Sequence, residues 1–193
     1  MEVAIIKYNA GNVQSVVYAL DKLAVNYKVT DDIEEIRKAD KVLFPGVGEA
    51  STAMKYLASK NLDKVIPELK QPVFGVCLGL QLMCKRSEEN NAQCLGIFDL
   101  EVKRFEPKLK VPHMGWNNLE DCKGKLVKGL GKSPYVYFVH SYYAPLSDFT
   151  AATTDYVIPF SAALEKDNFY AVQFHPEKSS DAGIQILKNF IEL

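Results

Sequence analysis

Short apolar runs alternate with segments of helical periodicity through the first half of the chain, and this alternation restricts the possible folds more than any other feature of the sequence. The apolar runs that suit strands lie at residues 3–8, 27–30, 41–44 and 72–76. Helical spacing of apolar residues lies at residues 13–23, 33–39, 50–58, 62–69 and 78–85. Strands that alternate with helices predict βαβ units and a parallel sheet covered on both faces.

The second half of the chain has a different pattern. From about residue 97, shorter strand-like segments follow at residues 100–104, 135–139, 151–154, 162–164 and 169–173. An amphipathic helix is predicted over residues 180–193, and no repeat, low-complexity stretch or linker interrupts the sequence. We therefore predict a single domain over residues 1–193, an α/β fold with a mostly parallel central sheet flanked by helices and an added antiparallel element.

Charge and hydropathy argue against nucleic acid and membrane partners. The 193 residues include 23 Lys and Arg against 24 Asp and Glu, a formal net charge of -1. Nucleic-acid binding depends on Lys and Arg that neutralise phosphates, so this balance disfavours it. No apolar run approaches the ~20 residues of a membrane-spanning helix, and the first residues lack the regions of a signal peptide. We expect a cytoplasmic protein.

The four cysteines do not form a recognisable metal or disulfide pattern. They are Cys77, Cys84, Cys94 and Cys122, with no C-x-x-C pair and no histidine at zinc-finger spacing. We expect no metal site, and we expect Cys84, Cys94 and Cys122 to be small buried hydrophobic residues. Cys77 differs because of its neighbours.

Cys77 lies in the motif Gly75-Val76-Cys77-Leu78-Gly79, where a predicted strand meets a predicted helix. This is the pattern of a nucleophile elbow. The turn is so tight that glycine is needed on both sides, and the nucleophile is held in a strained backbone conformation. The start of the helix behind Cys77 also favours a thiolate. A glycine-flanked core cysteine is the alternative interpretation.

A nucleophilic thiol needs a base, and the base needs an orienting group. His175 lies in Gln173-Phe174-His175-Pro176-Glu177, directly after an apolar strand. Residues two apart in an extended segment face the same side, so His175 and Glu177 can point into one site. A carboxylate that accepts from one imidazole nitrogen fixes the tautomer. A surface turn is the alternative.

Acyl transfer also needs donors aimed at the developing oxyanion. The backbone N–H of Leu78 is one candidate, and the loop Pro45-Gly46-Val47-Gly48 is a second source. Ligand sites in open parallel sheets lie at the carboxyl ends of strands, where this loop and Cys77 are both expected. No Walker-type lysine follows the loop, which disfavours phosphate binding.

The other two histidines lie in segments of mixed character. His140 is interpreted as a buried, hydrogen-bonded histidine, and the same interpretation is open for His113. The segment at residues 112–117 includes a methionine and the single tryptophan, which we interpret as a loop. A Trp beside a Met suits a partner surface as well as a core, and composition does not choose between them.

Together these motifs resemble the triad-type (class I) glutamine amidotransferases. The resemblance rests on Cys77 in Gly-Val-Cys-Leu-Gly-Leu-Gln, on His175 and Glu177 in His-Pro-Glu, and on the Pro-Gly-Val-Gly loop. Within that family, the segments at residues 8–12, 112–117, 138–142 and 174–179 look like the glutaminase subunits of imidazole glycerol phosphate synthases, which act in histidine biosynthesis. The resemblance covers essentially the whole chain.

The resemblance implies a reaction and a set of site residues. Cys77 would attack the side-chain amide of glutamine, His175 would pass a proton to the leaving ammonia, and Glu177 would orient His175. Water would then hydrolyse a glutamyl thioester at Cys77. The oxyanion hole would use the backbone amides of Val47 and Leu78, and the substrate pocket would include Gly48, Gln81, Ser141 and Tyr142. No cofactor is implied.

The resemblance also implies a heterodimer. The ammonia would pass to a separate (β/α)₈-barrel cyclase, which makes imidazole glycerol phosphate and an aminoimidazole carboxamide ribonucleotide. The partner-facing positions would be Asn12, Met114, Trp116, Asn117 and Lys178, with Lys178 in a salt bridge to the cyclase. If the Val47 N–H points away from the site in the free subunit, hydrolysis is slow until the partner shifts that population.

Three alternatives share parts of this pattern. A glutaminase of another synthase would keep Cys77, His175 and Glu177 but lack the segment at residues 112–117. A stand-alone cysteine hydrolase of similar fold would act without a partner and on other substrates. A non-catalytic interaction module would tolerate alkylation of Cys77 without loss of any activity.

Overall fold

The computed structural model describes residues 1–8 and 13–193, and these residues form thirteen strands and six α-helices. The strands are β1 (Glu2–Ile6), β2 (Asn26–Thr30), β3 (Lys41–Gly46), β4 (Val73–Cys77), β5 (Cys84–Ser87), β6 (Ala92–Gln93), β7 (Phe98–Arg104), β8 (His113–Asn118), β9 (Tyr135–His140), β10 (Tyr142–Tyr143), β11 (Thr150–Tyr156), β12 (Ile158–Lys166) and β13 (Phe169–Val172). The α-helices are α1 (Val13–Lys22), α2 (Ile33–Lys38), α3 (Ala50–Ser59), α4 (Leu62–Val65), α5 (Leu78–Met83) and α6 (Ser180–Ile191). Short 3₁₀ turns occupy Ile66–Glu68, Glu89–Asn91 and Pro176–Lys178.

The central sheet has seven strands in the order β11-β12-β13-β4-β3-β1-β2. The pairs from β13 to β2 are parallel, whereas β11, β12 and β13 pair antiparallel. A four-stranded sheet, β10-β7-β5-β6, and the two-stranded pair β8-β9 lie outside it. The α/β class with an added antiparallel element is therefore confirmed.

Both faces of the parallel sheet are buried, which explains why its strands are nearly continuous apolar runs. In β1, Ala4 and Ile6 belong to the core that includes residues of α2 to α5. Val3 and Ile5, which alternate with them, belong to the core that includes residues of α1 and α6. The period of two in the strand thus divides its apolar side chains between two layers of helices.

Two elements differ from the sequence-based expectation. The helix predicted over residues 78–85 ends at Met83, because the backbone turns extended at Cys84 (φ -69°, ψ 175°) and continues as β5, which pairs with β7. The segment at residues 112–117 is not a loop. It forms most of β8, whose one pairing partner in the described residues is β9. Because β8 lies outside the central sheet and several of its side chains are exposed, it lacks the continuous apolar run that would mark it as a strand.

The helix predicted over residues 62–69 is α-helical only as far as Val65. A 3₁₀ turn, Ile66–Glu68, follows it and contains Pro67. Proline lacks the N–H that continues an α-helix, so this change of helix type follows from its position.

The three cysteines expected in the core differ in exposure. Cys84 is buried and Cys94 is partly buried, but Cys122 is exposed, so the prediction was wrong for Cys122. It follows the isolated bridge Glu120↔Thr153 in a surface segment that no periodicity marks. No helix in the described residues is long and apolar enough to cross a membrane.

The junction between β4 and α5 depends on close backbone packing. A Cβ atom at Gly79 would lie 2.0 Å from the carbonyl oxygen of Phe44 in β3, and one at Gly75 would lie 2.9 Å from the Met83 sulfur. Real Cβ atoms do not approach a backbone oxygen this closely, so Gly79 must be glycine, whereas a Cβ at Gly75 would require the Met83 side chain to move. Helix α5 can therefore begin immediately after Cys77, against β3.

This packing predicts a measurable difference between two Gly→Ala substitutions. Gly79→Ala forces a Cβ against the Phe44 backbone, and we expect it to lower the free energy of unfolding by about 3 kcal/mol. In Gly129→Ala the new Cβ meets nothing within 4 Å, and only the φ of +79° is unfavourable. That control should cost about 1 kcal/mol. Equal losses in urea denaturation would contradict the close-packing explanation.

Candidate active site

Three neighbouring parallel strands bring the predicted site residues to one edge of the sheet. In the register of β3 and β4, Gly46 pairs with Cys77, and in that of β13 and β4, Val172 pairs with Val76. The loop after β3, the elbow after β4 and the segment after β13 therefore leave the sheet side by side. This is the carboxyl edge, where open α/β sheets bind ligands.

Cys77 occupies a backbone conformation that L-residues rarely adopt. It has φ 54° and ψ -106° and stands immediately before the first residue of α5. The strain that the sequence motif predicts is therefore present. The side chain is buried, with Sγ 3.8 Å from the carbonyl oxygen of Val139 and 3.7 Å from Nε2 of Gln173.

The backbone of His175 is held by a strand outside the central sheet. Its N–H donates to the carbonyl oxygen of Tyr137 in β9 at 2.8 Å. The Ser179 hydroxyl donates to the His175 carbonyl at 2.6 Å and accepts from the Tyr137 N–H at 2.9 Å. These three hydrogen bonds thus fix the backbone position from which the His175 side chain extends.

The side chains of His175 and Glu177 form a buried pair. Nδ1 of His175 lies 2.8 Å from Oε1 of Glu177, and the two side chains are only 4% and 3% exposed. The second carboxylate oxygen of Glu177, Oε2, is buried without a hydrogen-bond partner in the described part of the chain. A carboxylate with so little other compensation strongly favours a proton on the imidazole.

Two opposing effects act on the pKa of His175. Burial lowers the pKa, because it penalises the charged imidazolium. The interactions with Cys77 and Glu177 outweigh burial and raise the pKa to about 10. At neutral pH this histidine is therefore protonated, and an imidazolium at this position favours the nucleophilic form of a neighbouring thiol.

One cavity of about 350 Å³ opens onto Cys77 and His175. It is lined by Val47, Gly48, Cys77, Leu78, Gln81, Glu89, Pro112, Val139, His140, Ser141, His175 and Lys178. The predicted residues Val47, Gly48, Leu78, Gln81 and Ser141 thus meet in a single space. Tyr142 does not line it, and its contribution is a carbonyl oxygen that accepts from Nε2 of Gln81 at 3.1 Å.

The loop after β3 is anchored by Tyr8. The buried hydroxyl of Tyr8 donates to the carbonyl oxygen of Pro45 at 2.6 Å. Burial, followed by the charge of Cys77, raises the pKa of Tyr8 well above its ordinary value, so the hydroxyl keeps its proton. Beyond this anchor, Gly48 has a φ of 122°, which only glycine adopts readily.

Sequence reasoning missed the positions of Tyr8, Glu89 and Gln173. Glu89 lines the cavity, and its Oε2 accepts from the Ala50 N–H at 2.8 Å. Gln173 is fully buried beside Cys77. The sequence does offer an indication for Gln173, which is a polar residue at the end of an apolar strand, two positions before His175. It offers no such indication for Glu89, because this residue lies in a short 3₁₀ turn.

Four of the five residues predicted to face a partner lie at the cavity or on β8. Met114 and Trp116 are 59% and 51% exposed, which is high for large apolar side chains. Asn117 is on the same strand, and Lys178 lines the cavity. Asn12 lies outside the described residues. In residues 1–8 and 13–193, no group of three or more His, Cys, Asp or Glu side chains could hold a metal ion.

The sequence matches the profile of the family "Glutamine amidotransferase class-I" across residues 4–193. The chain belongs to the class-I glutamine amidotransferase family, as its motifs indicate. It is 61% identical over 196 residues to the imidazole glycerol phosphate synthase subunit HisH of Bacteroides fragilis (strain YCH46), with 100% of both chains covered. The protein of the same name from Bacteroides thetaiotaomicron is 58% identical over 196 residues, again with 100% coverage of both.

Solved structures show the same fold at low sequence identity. A structure described as glutamine amidotransferase superposes with a TM-score of 0.76 at 21% identity, covering 98% of this chain and 97% of that one. A glutamine amidotransferase from Thermotoga maritima gives a TM-score of 0.64 at 17% identity, with 100% and 81% covered.

The His175–Glu177 contact predicts a change in the titration of the imidazole. Glu177→Gln keeps the size of the side chain but removes its charge, so we expect the pKa of His175 to fall. The imidazole signals of His175 in an NMR titration measure this directly. Glu106→Gln, at an exposed carboxylate paired with Lys108, is the matched control. A His175 pKa that stays the same in both variants would show that Glu177 does not hold the proton.

Proposed function

We propose that this chain hydrolyses glutamine to glutamate and ammonia with Cys77, His175 and Glu177, and that it is the glutaminase subunit of an imidazole glycerol phosphate synthase in histidine biosynthesis. The observation that carries the proposal is the buried His175–Glu177 hydrogen bond beside Cys77 in one cavity. The relatives named above, which match over their full length, support the choice of synthase.

The first half of the reaction uses the proton on His175. The Cys77 thiolate attacks the carbonyl carbon of the glutamine side-chain amide, and its electrons form the new S–C bond. The tetrahedral intermediate then breaks its C–N bond, and the His175 imidazolium gives its proton to the departing nitrogen, which leaves as ammonia. Glu177 stabilises the imidazolium before this transfer.

The second half restores the enzyme. Neutral His175 now takes a proton from a water molecule, whose oxygen attacks the glutamyl thioester. Collapse of the second tetrahedral intermediate breaks the C–S bond, releases glutamate and regenerates the thiolate beside the imidazolium. Glutamine and water are consumed, and glutamate and ammonia are formed.

Both tetrahedral intermediates carry an oxyanion. The N–H groups of Leu78, at the start of α5, and of Val47 are the proposed donors, since both residues line the same cavity. Tyr8 fixes the Pro45 carbonyl, two residues before Val47. The Val47 N–H belongs to the peptide that joins Gly46 to Val47, so a glycine precedes it directly. We propose that the Val47 peptide is the switch that the partner controls.

The cavity also suits the amino-acid end of glutamine. Nε2 of Gln81 donates to Tyr142 and to Gln173, both at 3.1 Å, so the group that Gln81 offers to a substrate is its carbonyl oxygen. An oxygen acceptor and the Glu89 carboxylate together favour the α-ammonium group. Gly48 and Ser141 line the same space, and Tyr142 holds Gln81 in place.

The partner proposed is the (β/α)₈ cyclase subunit, bound as a heterodimer. Met114 and Trp116 expose the kind of large apolar side chains that dominate protein interfaces. Lys178 follows the catalytic glutamate directly and is the proposed salt-bridge donor, with Asn12 and Asn117 as further contacts. One domain over residues 1–193 and a cytoplasmic location complete the proposal.

Substitution of the nucleophile distinguishes the glutaminase activity from the cyclase activity of the proposed synthase. With the cyclase present, Cys77→Ala should lower glutamine-dependent product formation at least about a thousandfold, because no thioester can form. Synthesis from added ammonia should stay at the wild-type level, since the cyclase performs it. Product formation is measured with each nitrogen source.

The exposed Cys122 provides the matched control. Cys122→Ala should retain both activities, because this thiol lies outside the cavity. Loss of the ammonia-dependent reaction in Cys77→Ala would contradict the division of labour between the subunits.

A further inference from the structure

A buried glutamine, Gln173, contacts the sulfur of the nucleophile. It follows β13 directly and is fully buried. Its Nε2 lies 3.7 Å from Sγ of Cys77, within donor distance of a sulfur, and its Oε1 accepts from Nε2 of Gln81 at 3.1 Å. The bond to Gln81 determines which end of the Gln173 amide faces the sulfur.

The orientation of Gln81 is fixed in turn. Its Nε2 also donates to the Tyr142 carbonyl oxygen at 3.1 Å. The same oxygen is 2.7 Å from Nδ1 of His140. A carbonyl can only accept, so His140 carries its proton on Nδ1, and its Nε2 is an acceptor.

The chain of hydrogen bonds continues to the outer strand β8. Nδ1 of His113 lies 3.0 Å from Nε2 of His140, and Nε2 of His113 lies 3.3 Å from Nδ2 of Asn117. The Asn117 amide is oriented independently, because Nδ2 donates to the Asp155 carbonyl and Oδ1 accepts from the Asn118 N–H. The assignments made from the two ends agree, and both imidazoles carry their proton on Nδ1.

This series of hydrogen bonds holds side chains in position and does not conduct protons. Burial lowers the pKa of His113 to about 4 and that of His140 to about 3, so both rings are neutral at neutral pH. The Tyr142 carbonyl accepts from both sides, which interrupts any relay. His113 is also stacked between Phe138 and Tyr156, with ring centroids 4.8 and 3.9 Å away.

We propose that Gln173 donates a hydrogen bond from Nε2 to the Cys77 sulfur and stabilises the thiolate, and that Gln81 and the chain Tyr142–His140–His113–Asn117 hold the Gln173 amide in that orientation. Gln173 is thereby a further catalytic residue, and His113 and His140 are positioning residues. The inference deepens the proposed glutaminase function and rests on it for its role in the reaction. The chemistry at the sulfur can be tested without glutamine.

The substitution that tests Gln173 leaves the other ionisable side chains around the sulfur in place. Those that line its cavity or face Cys77 are Tyr8, Glu89, His140, His175, Glu177 and Lys178. Gln173→Met removes the donor at nearly constant length and changes none of these charges. A change in thiolate reactivity is therefore attributable to the lost N–H.

The experiment measures the rate of Cys77 alkylation by iodoacetamide between pH 5 and 10, in a Cys94→Ala, Cys122→Ala background that removes the two more accessible thiols. We expect Gln173→Met to lower the rate at pH 7 about tenfold and to move the profile to higher pH, since a hydrogen bond to an ionised group is lost. We expect His113→Phe, which keeps an aromatic ring in the stack, to give a smaller shift in the same direction.

Asn168→Leu is the matched control. Its amide Nδ2 is likewise hydrogen-bonded inside the protein, donating to the backbone carbonyls of Leu69 and Gln71, but at the other end of β13. It should lower the thermal midpoint without moving the alkylation profile. A wild-type profile in Gln173→Met would overturn the proposal for Gln173, and a wild-type profile in His113→Phe alone would overturn the positioning chain.

The same variants distinguish this inference from the proposed function. Glutamate release by the complex with the cyclase should show a lower kcat in Gln173→Met. If the wild-type complex releases no glutamate, the glutaminase proposal fails, while a shifted alkylation profile still supports the contact with the sulfur.

Discussion

The site depends on the contact between Gly79 and the carbonyl of Phe44. Because no side chain separates α5 from β3, the helix begins directly at the end of β4 and forces Cys77 to a φ of 54°. In that conformation the sulfur lies beside the Val139 carbonyl and the Gln173 amide, and Cys77 lines one cavity with His175. Buried packing on both faces of the sheet offsets the free-energy cost of this one strained residue. A longer turn would relax the backbone and displace the sulfur from its partners.

Sequence reasoning predicted the parallel sheet, the elbow and the His-Pro-Glu segment, because each has a local signature. Strands buried on both faces form continuous apolar runs, and a glycine on either side of a cysteine marks a tight turn. The strand β8 was missed because it pairs with one neighbour and carries Gly115 and exposed Met114 and Trp116. The early end of α5 was missed because residues 84 and 85 continue its helical pattern although their backbone is extended.

Several polar groups around Cys77 come from distant parts of the chain, and for that reason their spacing in the sequence does not predict that they meet. Gln81, Tyr142 and Gln173 are separated by as many as 92 residues, yet they share two hydrogen bonds. The three histidines differ in pKa because of their surroundings. Burial lowers the pKa of His113 and of His140, so both are neutral. For His175, the interactions with Cys77 and Glu177 outweigh burial and raise the pKa. Such differences arise from tertiary contacts and leave no pattern in the sequence.

We propose that Cys77, His175 and Glu177 release ammonia from glutamine for a partner subunit that controls the site. The most direct test is glutamate release from glutamine by the chain alone, and again with the cyclase and its nucleotide ligand. We expect little release by the chain alone and a large rise when both are added, because we propose that the partner reorients the Val47 peptide. High release by the chain alone, unchanged by the cyclase and its ligand, would contradict it.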